Sequence, residues 1–482
     1  MHLSYHPEHR VFVFHTTYDE RHIPKGAGFT WNRPVTGKWA TRELHIARKA
    51  AQYADESARS MLEAAERAKR VATEANRQQV IRETESASKG KYVLRPYQAE
   101  ASAAGVAFFQ DKTRKGNALV VCPTGSGKSL ILADIADKLN EPVLIFQPSK
   151  EILEQNYRKY ISYGRKAGIY SASVGVKRLA GVTFAMIGSV IRKMDMLAGF
   201  PNIIVDECHL CNARSGMYKE LFDFLSTSKV CGLSATPYRL TTDGFGGSIL
   251  KFLTRTRPRI FKDVIYYVQN EDLFNAGYLA KLKYTRGMEF NRKQLQLNST
   301  GADYTDDSVK HYYRMSNFKG KVAACVNEVM TRRRNALVFT RFVEEAEYLT
   351  HHVPRSAIVT AKTPKQERDR IIRAFRKGDI KVACNCAVLS TGFDFPELET
   401  VILARPTLSL ALYYQQIGRG IRIHPDKEYT EIVDLCDNYS LFGPIESLRI
   451  VEGEHGKWFI ENEGRQLTNV YYGREGGVPD YL

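Results

Sequence analysis

The 482 residues contain no apolar run approaching the roughly 18 residues that a membrane-spanning helix needs, so no such span is expected. The start, MHLSYHPEHRVFVFHTTYDE, lacks the basic-then-apolar build of a secretory signal. Cysteine is sparse, with eight scattered residues, which excludes a disulfide scaffold and reads as reduced thiols in a cytoplasmic compartment. Acidic residues are in deficit: 53 Asp+Glu face 70 Lys+Arg, a net charge of +17. That excess calls for a polyanionic partner, of which nucleic acid is the commonest. The hydrophobic share of 43% is ordinary, and the length exceeds what one core of about 250–300 residues holds, so several domains are expected.

Residues 1–45 alternate apolar and polar positions (VFVFH) and then turn repeatedly (IPKGAGFTWNRPVTGKWATREL). They predict a small β-rich module. Trp31 and Trp39 lie among Lys25, Arg33, Lys38 and Arg42. Such interleaving can stack bases and hold phosphates, although two tryptophans can equally fill the core of a small domain. The module is a candidate for nucleic-acid binding or for a protein partner. Glycine and proline then vanish from residues 43–88, which are rich in Ala, Glu, Arg and Lys. This composition predicts helix, read over 46–90 as a solvated spacer whose alanine stripe packs little.

From Tyr92 onward short apolar runs (ALVVC, VLIFQ, NIIVD, VCGLS) alternate with helical segments, and a second series begins near Asn335 (ALVFT, AIVTA, VACNC, TVILA, EIVDL). Strands alternating with helices imply parallel sheets covered on both faces. The fold class is therefore α/β, with two tandem parallel-sheet domains over 91–285 and 286–450 and a tail over 451–482. Residues 238–334 read as a long connection holding a mobile loop (YRLTTDGFGG) and a polar insertion (RKQLQLNSTGADYTDDSVKHYYR).

Residues 118–130, ALVVCPTGSGKSL, place a strand before a glycine-rich loop and a helix start. Glycines let backbone N–H groups curl around phosphate oxygens, and the helix N-terminus adds its positive pole. Lys128 would reach the outer phosphates and the Ser129 hydroxyl would ligate Mg2+. The first glycine of the usual phosphate-loop pattern is replaced by Cys122. A second buried strand, Asn202–Asp206, ends in the paired carboxylates Asp206 and Glu207. One can hold Mg2+ and the other can orient or activate water, provided the chain turns between them. The adjacent Cys208, His209 and Cys211 also raise a zinc or redox reading, but no second Cys/His pair at a suitable spacing completes it.

These motifs, in this order, resemble the superfamily 2 helicases and translocases over about residues 92–445. LRPYQAEA (Arg95, Gln98) looks like the adenine-reading element, PTGSGKS like motif I with Thr124, Gly125, Ser126, Gly127, Lys128 and Ser129, and VDECH like a DExH motif II. GLSATPYR (Ser234, Thr236) resembles motif III, ALVFTRF motif IV, LSTGFDFP (Gly392, Asp394) motif V, and YYQQIGRGIR (Gln415, Arg419, Arg422) motif VI.

The resemblance implies two RecA-like domains with ATP and Mg2+ between them. Lys128, Ser129, Asp206 and Glu207 would lie on one domain, with Arg419 and Arg422 reaching from the other. His209, Ser234, Thr236 and Gln415 would couple the nucleotide site to movement. Pro148, Ser149, Lys150, Gly188, Ser189, Thr360 and Thr391 would touch a nucleic-acid backbone, although each hydroxyl could simply cap a helix. LRPYQ and the form of motifs V and VI look closer to the DNA-directed branch, which includes XPB-like, phage recombination and restriction-motor proteins. DNA is thus expected over RNA, with forked or branched duplexes as substrate and a phage or prophage in a bacterial host as source. An RNA helicase of DExH type and a motor subunit of a restriction or defence complex are the alternatives. Residues 1–90 show no nuclease constellation.

Overall fold

The computed structural model describes residues 1–32, 38–87, 93–242, 248–299, 301–386 and 395–472. The chain divides into two compact units, one formed by residues 1–78 with 275–277 and the other by the remainder.

In the first unit the alternating sequence makes an antiparallel sheet, with His2–His6, Val11–His15, Lys38–Thr41 and Thr30–Asn32 in that spatial order. Alternation sends Phe12 and Phe14 to one face with Leu3. There they pack with Phe29, Ala47, Ala50, Ala54, Ala58 and Leu62. This corrects the spacer reading of residues 46–90 over its first part, up to Leu62. A short helix (Leu44–Lys49) belongs to the module, and the long helix Glu56–Ala87 contributes its first turns to the same core. The small alanine side chains let helix and sheet approach closely, so the stripe taken as too weak to pack is what packs. Trp31 is 54% exposed and stands edge-on to the half-buried Trp39, with ring centroids 5.8 Å apart. Trp31 is therefore not a core filler.

The second unit contains both expected parallel sheets. The first runs Phe261–Tyr267, Asn117–Val121, Lys229–Ser234, Asn202–Asp206, Val143–Phe146, Val182–Ala185 and Gly168–Ser171, all parallel, with Val176–Lys177 antiparallel at the edge. Its central strands are buried along their length, as sheets covered on both faces require. The second runs Lys281–Arg286, Tyr429–Asp434, Thr400–Ala404, Ala336–Thr340, Val382–Cys386 and Ser356–Val359, again all parallel.

Three boundary readings change. Lys281–Arg286 is an edge strand of the second sheet, so that domain starts before residue 286. The long connection is folded. Tyr238–Thr242 and Ser248–Phe252 form a hairpin whose tip, 243–247, lies outside the described residues, and Phe261–Tyr267 extends the first sheet. The polar insertion leads into helices Asp306–Met315 and Phe318–Met330, whose Val309, Tyr313, Val322 and Val326 are buried. Arg292, only 8% exposed, is accommodated because it donates to the carbonyls of Cys436 and Thr407, to Asn438 Oδ1 and to the Tyr304 hydroxyl. A hydrogen-bonded guanidinium can be buried where an unpartnered one could not.

The expected tail is likewise structured. Leu448–Gly453, Lys457–Asn462 and Arg465–Gln466 form an antiparallel sheet that buries Trp458. Tyr471–Tyr472 then pairs with Ser248–Ile249 of the first-domain hairpin. The Gln269 amide clasps Ile450, donating to its carbonyl at 2.8 Å and accepting from its N–H at 2.9 Å.

Gly232, in the strand beside Asp206, shows how tightly this sheet is filled. A Cβ there would lie 2.7 Å from Cys208 Sγ and 2.8 Å from Phe261 Cε1. Gly232→Ala is expected to destabilise the protein by about 1–3 kcal/mol, read as a lower urea midpoint. An unchanged midpoint would mean the site is slack. Among the described residues no helix is long and apolar enough to cross a membrane.

Candidate active site

The strand Asn117–Val121 delivers the glycine-rich loop to the start of helix Lys128–Lys138. Gly125 and Gly127 both hold φ of +81°, where a side chain is strained. A Cβ on Gly127 would also meet Gln98 Nε2 at 2.5 Å. Cys122, at the position where the usual pattern has glycine, is fully buried in the core beneath the loop, and burial pushes its thiol up to about 12. It is a neutral packing residue.

Lys128 Nζ lies 3.4 and 3.5 Å from the carbonyls of Cys122 and Pro123 and 3.9 Å from Glu207 Oε1. The Ser126 carbonyl accepts from the Tyr97 hydroxyl (2.8 Å) and from Gln98 Nε2 (2.6 Å), while Gln98 Oε1 accepts from the Arg95 N–H. Arg95 in turn stacks over Tyr278 at 5.1 Å. The Ser126 hydroxyl is buried with no protein partner, an orphan polar atom in a loop built for oxyanions.

Asp206 ends its strand, and Glu207 takes φ +50°, ψ +50°, the left-handed turn that brings both carboxylates to one place. Few non-glycine residues adopt it, and such strain concentrates at functional sites. Burial, and then the neighbouring Glu207, raise Asp206 above the usual carboxylate range. Burial acts on Glu207 in the same sense but is outweighed by Lys128, His209 and Arg419, which hold it low. Asp206 Oδ2 also accepts from Asn156 at 3.4 Å, and Asn156 donates to Gln147.

His209 Nδ1 lies 3.0 Å from Ser234 Oγ, 3.1 Å from Thr236 Oγ1 and 3.3 Å from Glu207 Oε2. Its Nε2 faces Gln415 Nε2 at 3.3 Å, across the domain boundary. The expected coupling set is therefore one contiguous cluster.

Ser129 and Asp206 supply hard oxygen donors, and among the described residues no group of three His, Cys, Asp or Glu forms a metal cage. That fits Mg2+, which is characteristically held by few protein oxygens together with substrate phosphates. It does not fit zinc. Cys208 and Cys211 are buried, and burial drives both thiols upward.

The second domain contributes helix Leu410–Ile417 and the turn after it. Arg422 Nη1 donates to the Gly125 carbonyl at 3.3 Å, and Arg419 Nε donates to the Gln415 carbonyl at 3.3 Å. Gly418 faces Thr124 so closely that a Cβ would lie 2.8 Å from its methyl group.

Several interactions escape sequence reasoning. Tyr414 accepts from the Thr124 N–H and donates to Asn270 at 2.8 Å. Lys427, 2% exposed, donates to the Gly420 carbonyl (2.9 Å) and to that of Leu398 (3.1 Å), and Thr430 Oγ1 donates to Gly420 as well (2.6 Å). Burial pulls Lys427 down to about 7. These groups fix the backbone between Arg419 and Arg422.

The expected backbone-binding residues are not gathered with this cluster. Ser149, after Pro148, caps helix Lys150–Ser162 by accepting from Ile152, and Lys150 donates to the Ser173 carbonyl. Ser189 accepts from the Ala172 N–H, beside Gly188 in the short helix Ile187–Val190. Thr360 accepts from the Lys362 N–H. The Ser149 and Thr360 hydroxyls thus make the local bonds their residue types permit, whereas Ser189 reaches a residue distant in the chain. Thr391, Gly392 and Asp394 lie outside the described residues.

Residues 91–239 match the family model "Type III restriction enzyme, res subunit", residues 320–424 match "Helicase conserved C-terminal domain", and residues 14–51 match a domain of unknown function, DUF8626. A 51.5 kDa protein of a Lactococcus phage is 27% identical over 67% of this chain and 67% of its own length. The DNA 3'-5' translocase XPB2 of Sulfurisphaera tokodaii is 25% identical over 70% of this chain and 81% of its own. In fold, the chain is similar to the ATP-dependent Type ISP restriction-modification enzyme LlaBIII bound to DNA, with a TM-score of 0.52 and 18% identity over 71% of this chain. It spans only 27% of that enzyme. With both helicase-domain models matched in order on its two RecA-like sheets, the chain belongs to the superfamily 2 helicases and translocases, a class of nucleic-acid-dependent ATPases.

Proposed function

We propose that the chain couples ATP hydrolysis to movement on forked or branched DNA. The observation that carries this reading is the composite site. Lys128, Asp206 and Glu207 come from one domain, while Arg422 reaches the phosphate loop from the other. A site completed only when two domains meet makes hydrolysis depend on closure and ties closure to what lies across both domains.

In this reading the loop N–H groups and Lys128 cradle the phosphates, and Arg95 with Gln98 borders the base. Ser129 and Asp206 would hold Mg2+, which when bound neutralises charge on the phosphate oxygens. Glu207 orients the attacking water and takes its proton on a carboxylate oxygen. Arg419 and Arg422 offer permanent charge and a planar fork to the developing charge. His209 reports the state of Glu207 to Ser234 and Thr236 in one domain and to Gln415 in the other.

DNA is preferred to RNA because the DNA translocase is matched over 70% of this chain and 81% of its own length, whereas relatives named as RNA helicases are matched over 62% of this chain and half of theirs. The restriction-type family model also supports a second reading, a motor that serves a restriction or defence partner. The phage relative is consistent with a phage source.

The deciding experiment is steady-state ATP hydrolysis with no nucleic acid, with forked DNA and with a matched RNA. Stimulation is expected with DNA above all. Equal rates in all arms would sink the motor reading, and stronger stimulation by RNA would overturn the preference for DNA.

A further inference from the structure

The hairpin after motif III lines a second cavity, of about 230 Å³, away from the nucleotide site. Its walls carry Arg214, Arg239, Lys251 and Arg257, with Asn212, Thr241 and Thr256 between them and, among the described residues, no carboxylate. Elsewhere the chain neutralises such clusters. Arg332 and Arg333 share the buried Glu431, and Arg334 pairs with Glu399. In the cavity none of the four cations makes an ion pair among the described residues. Like charges gathered around one space repel unless an anion sits among them, so the arrangement is complementary to a ligand carrying negative charge.

We infer that this cavity is a nucleic-acid phosphate site, in addition to the backbone-binding residues expected from the motifs. This rests on the proposed reading of the chain as a nucleic-acid motor. The charged donors are guanidinium forks and an ammonium, which grip phosphodiester oxygens without reading bases, while the Asn212 amide and the Thr241 and Thr256 hydroxyls donate within the protein. Among the described residues the lining has no aromatic group, and Ala213 and Leu240 are its apolar members. An acidic protein partner would be expected to seat an aromatic or aliphatic anchor, which this cavity does not offer.

Its position adds a function. Arg239 Nη1 donates to the carbonyls of Leu210 (3.0 Å) and His209 (3.4 Å). The strand that carries Arg239 begins at Tyr238, two residues past Thr236, which contacts the His209 ring. A phosphate drawn to Arg239 therefore bears on the backbone of motif II itself. The cavity gives the nucleic acid a short route to the residues that report on Glu207.

The test leaves Arg239 in place, because it braces motif II, and replaces Arg214, Lys251 and Arg257 with alanine in the full chain. Affinity for a forked DNA is measured against salt, with thermal unfolding as the control for folding. The slope of log K against log[salt] is expected to shrink by about 1 or more, and the dissociation constant to rise about tenfold or more. An unchanged slope and affinity in a folded variant would overturn the site. Competition by polyglutamate that matches DNA in the parent protein and disappears in the variant would also overturn it, in favour of an acidic protein ligand. If the triple variant does not fold, Arg257→Glu alone, at an exposed position, carries the same expectation of a weaker affinity and smaller slope. A parent protein that binds no nucleic acid would refute the motor reading instead.

Discussion

Arg422→Ala is expected to lower kcat for DNA-stimulated ATP hydrolysis by about 10³–10⁵, with much less effect on KM for ATP. Arg422 sits on the second domain, yet its Nη1 reaches the Gly125 carbonyl of the phosphate loop. Its charge is thus available where phosphate charge spreads at the transition state, while ground-state binding rests mainly on the first domain. Removing an interaction that holds ground state and transition state equally raises KM, whereas removing one made only at the transition state lowers kcat. Arg422→Lys is not expected to restore the rate, because an ammonium lacks the planar fork. The measurement is single-turnover hydrolysis at saturating ATP and DNA. A loss under tenfold would mean that Arg419 alone supplies the charge.

Glu207→Gln should lower kcat by about 10²–10⁴ while ATP still binds. The amide keeps the shape of the side chain and its place at the left-handed turn, so the change removes charge and basicity with little rearrangement. Lys128, His209 and Arg419 hold the Glu207 carboxylate ionised despite its burial, and the substitution takes away the group they stabilise. Nucleotide affinity is expected to hold or rise, since a negative charge near the phosphates is gone. Fluorescent-nucleotide binding with parallel turnover separates the two effects. Equal loss of binding and turnover would assign Glu207 a structural role.

The nucleotide site was legible in the sequence because its chemistry imposes spacing. A loop around phosphates needs glycine at Gly125 and Gly127, and a strand-end carboxylate needs an apolar run before it. The resemblance to superfamily 2 helicases placed His209 among its partners, and the lack of a second Cys/His pair dismissed Cys208 and Cys211 as ligands. What stayed hidden were interactions between residues far apart in the chain. Lys427 and Thr430 support Gly420, and Asn270 supports Tyr414, through hydrogen bonds that leave no periodic signal. The alanine-rich segment misled for a different reason. Hydrophobicity scales weigh alanine lightly, yet closeness of packing depends on small size as much as on apolar area. The polar insertion misled because charged residues read as solvated, whereas Arg292 is buried among carbonyls.

The C-terminal segment bears on how the motor can move. The chain crosses between the RecA-like domains once between Tyr267 and Lys281, and again where the sheet beginning at Leu448 meets Gln269 and the strand Tyr471–Tyr472 joins the first-domain hairpin. A body pinned at one point can swivel about any axis, but one pinned at two turns only about the line that joins the pins. With the second attachment, opening of the cleft is expected to be a door-like swing that returns Arg422 to the same loop. The pairing of Tyr471–Tyr472 with Ser248 and Ile249 is reinforced by Asn469, whose N–H donates to the Leu250 carbonyl and whose Oδ1 accepts from the Phe252 N–H, so the second pin runs along the hairpin strand.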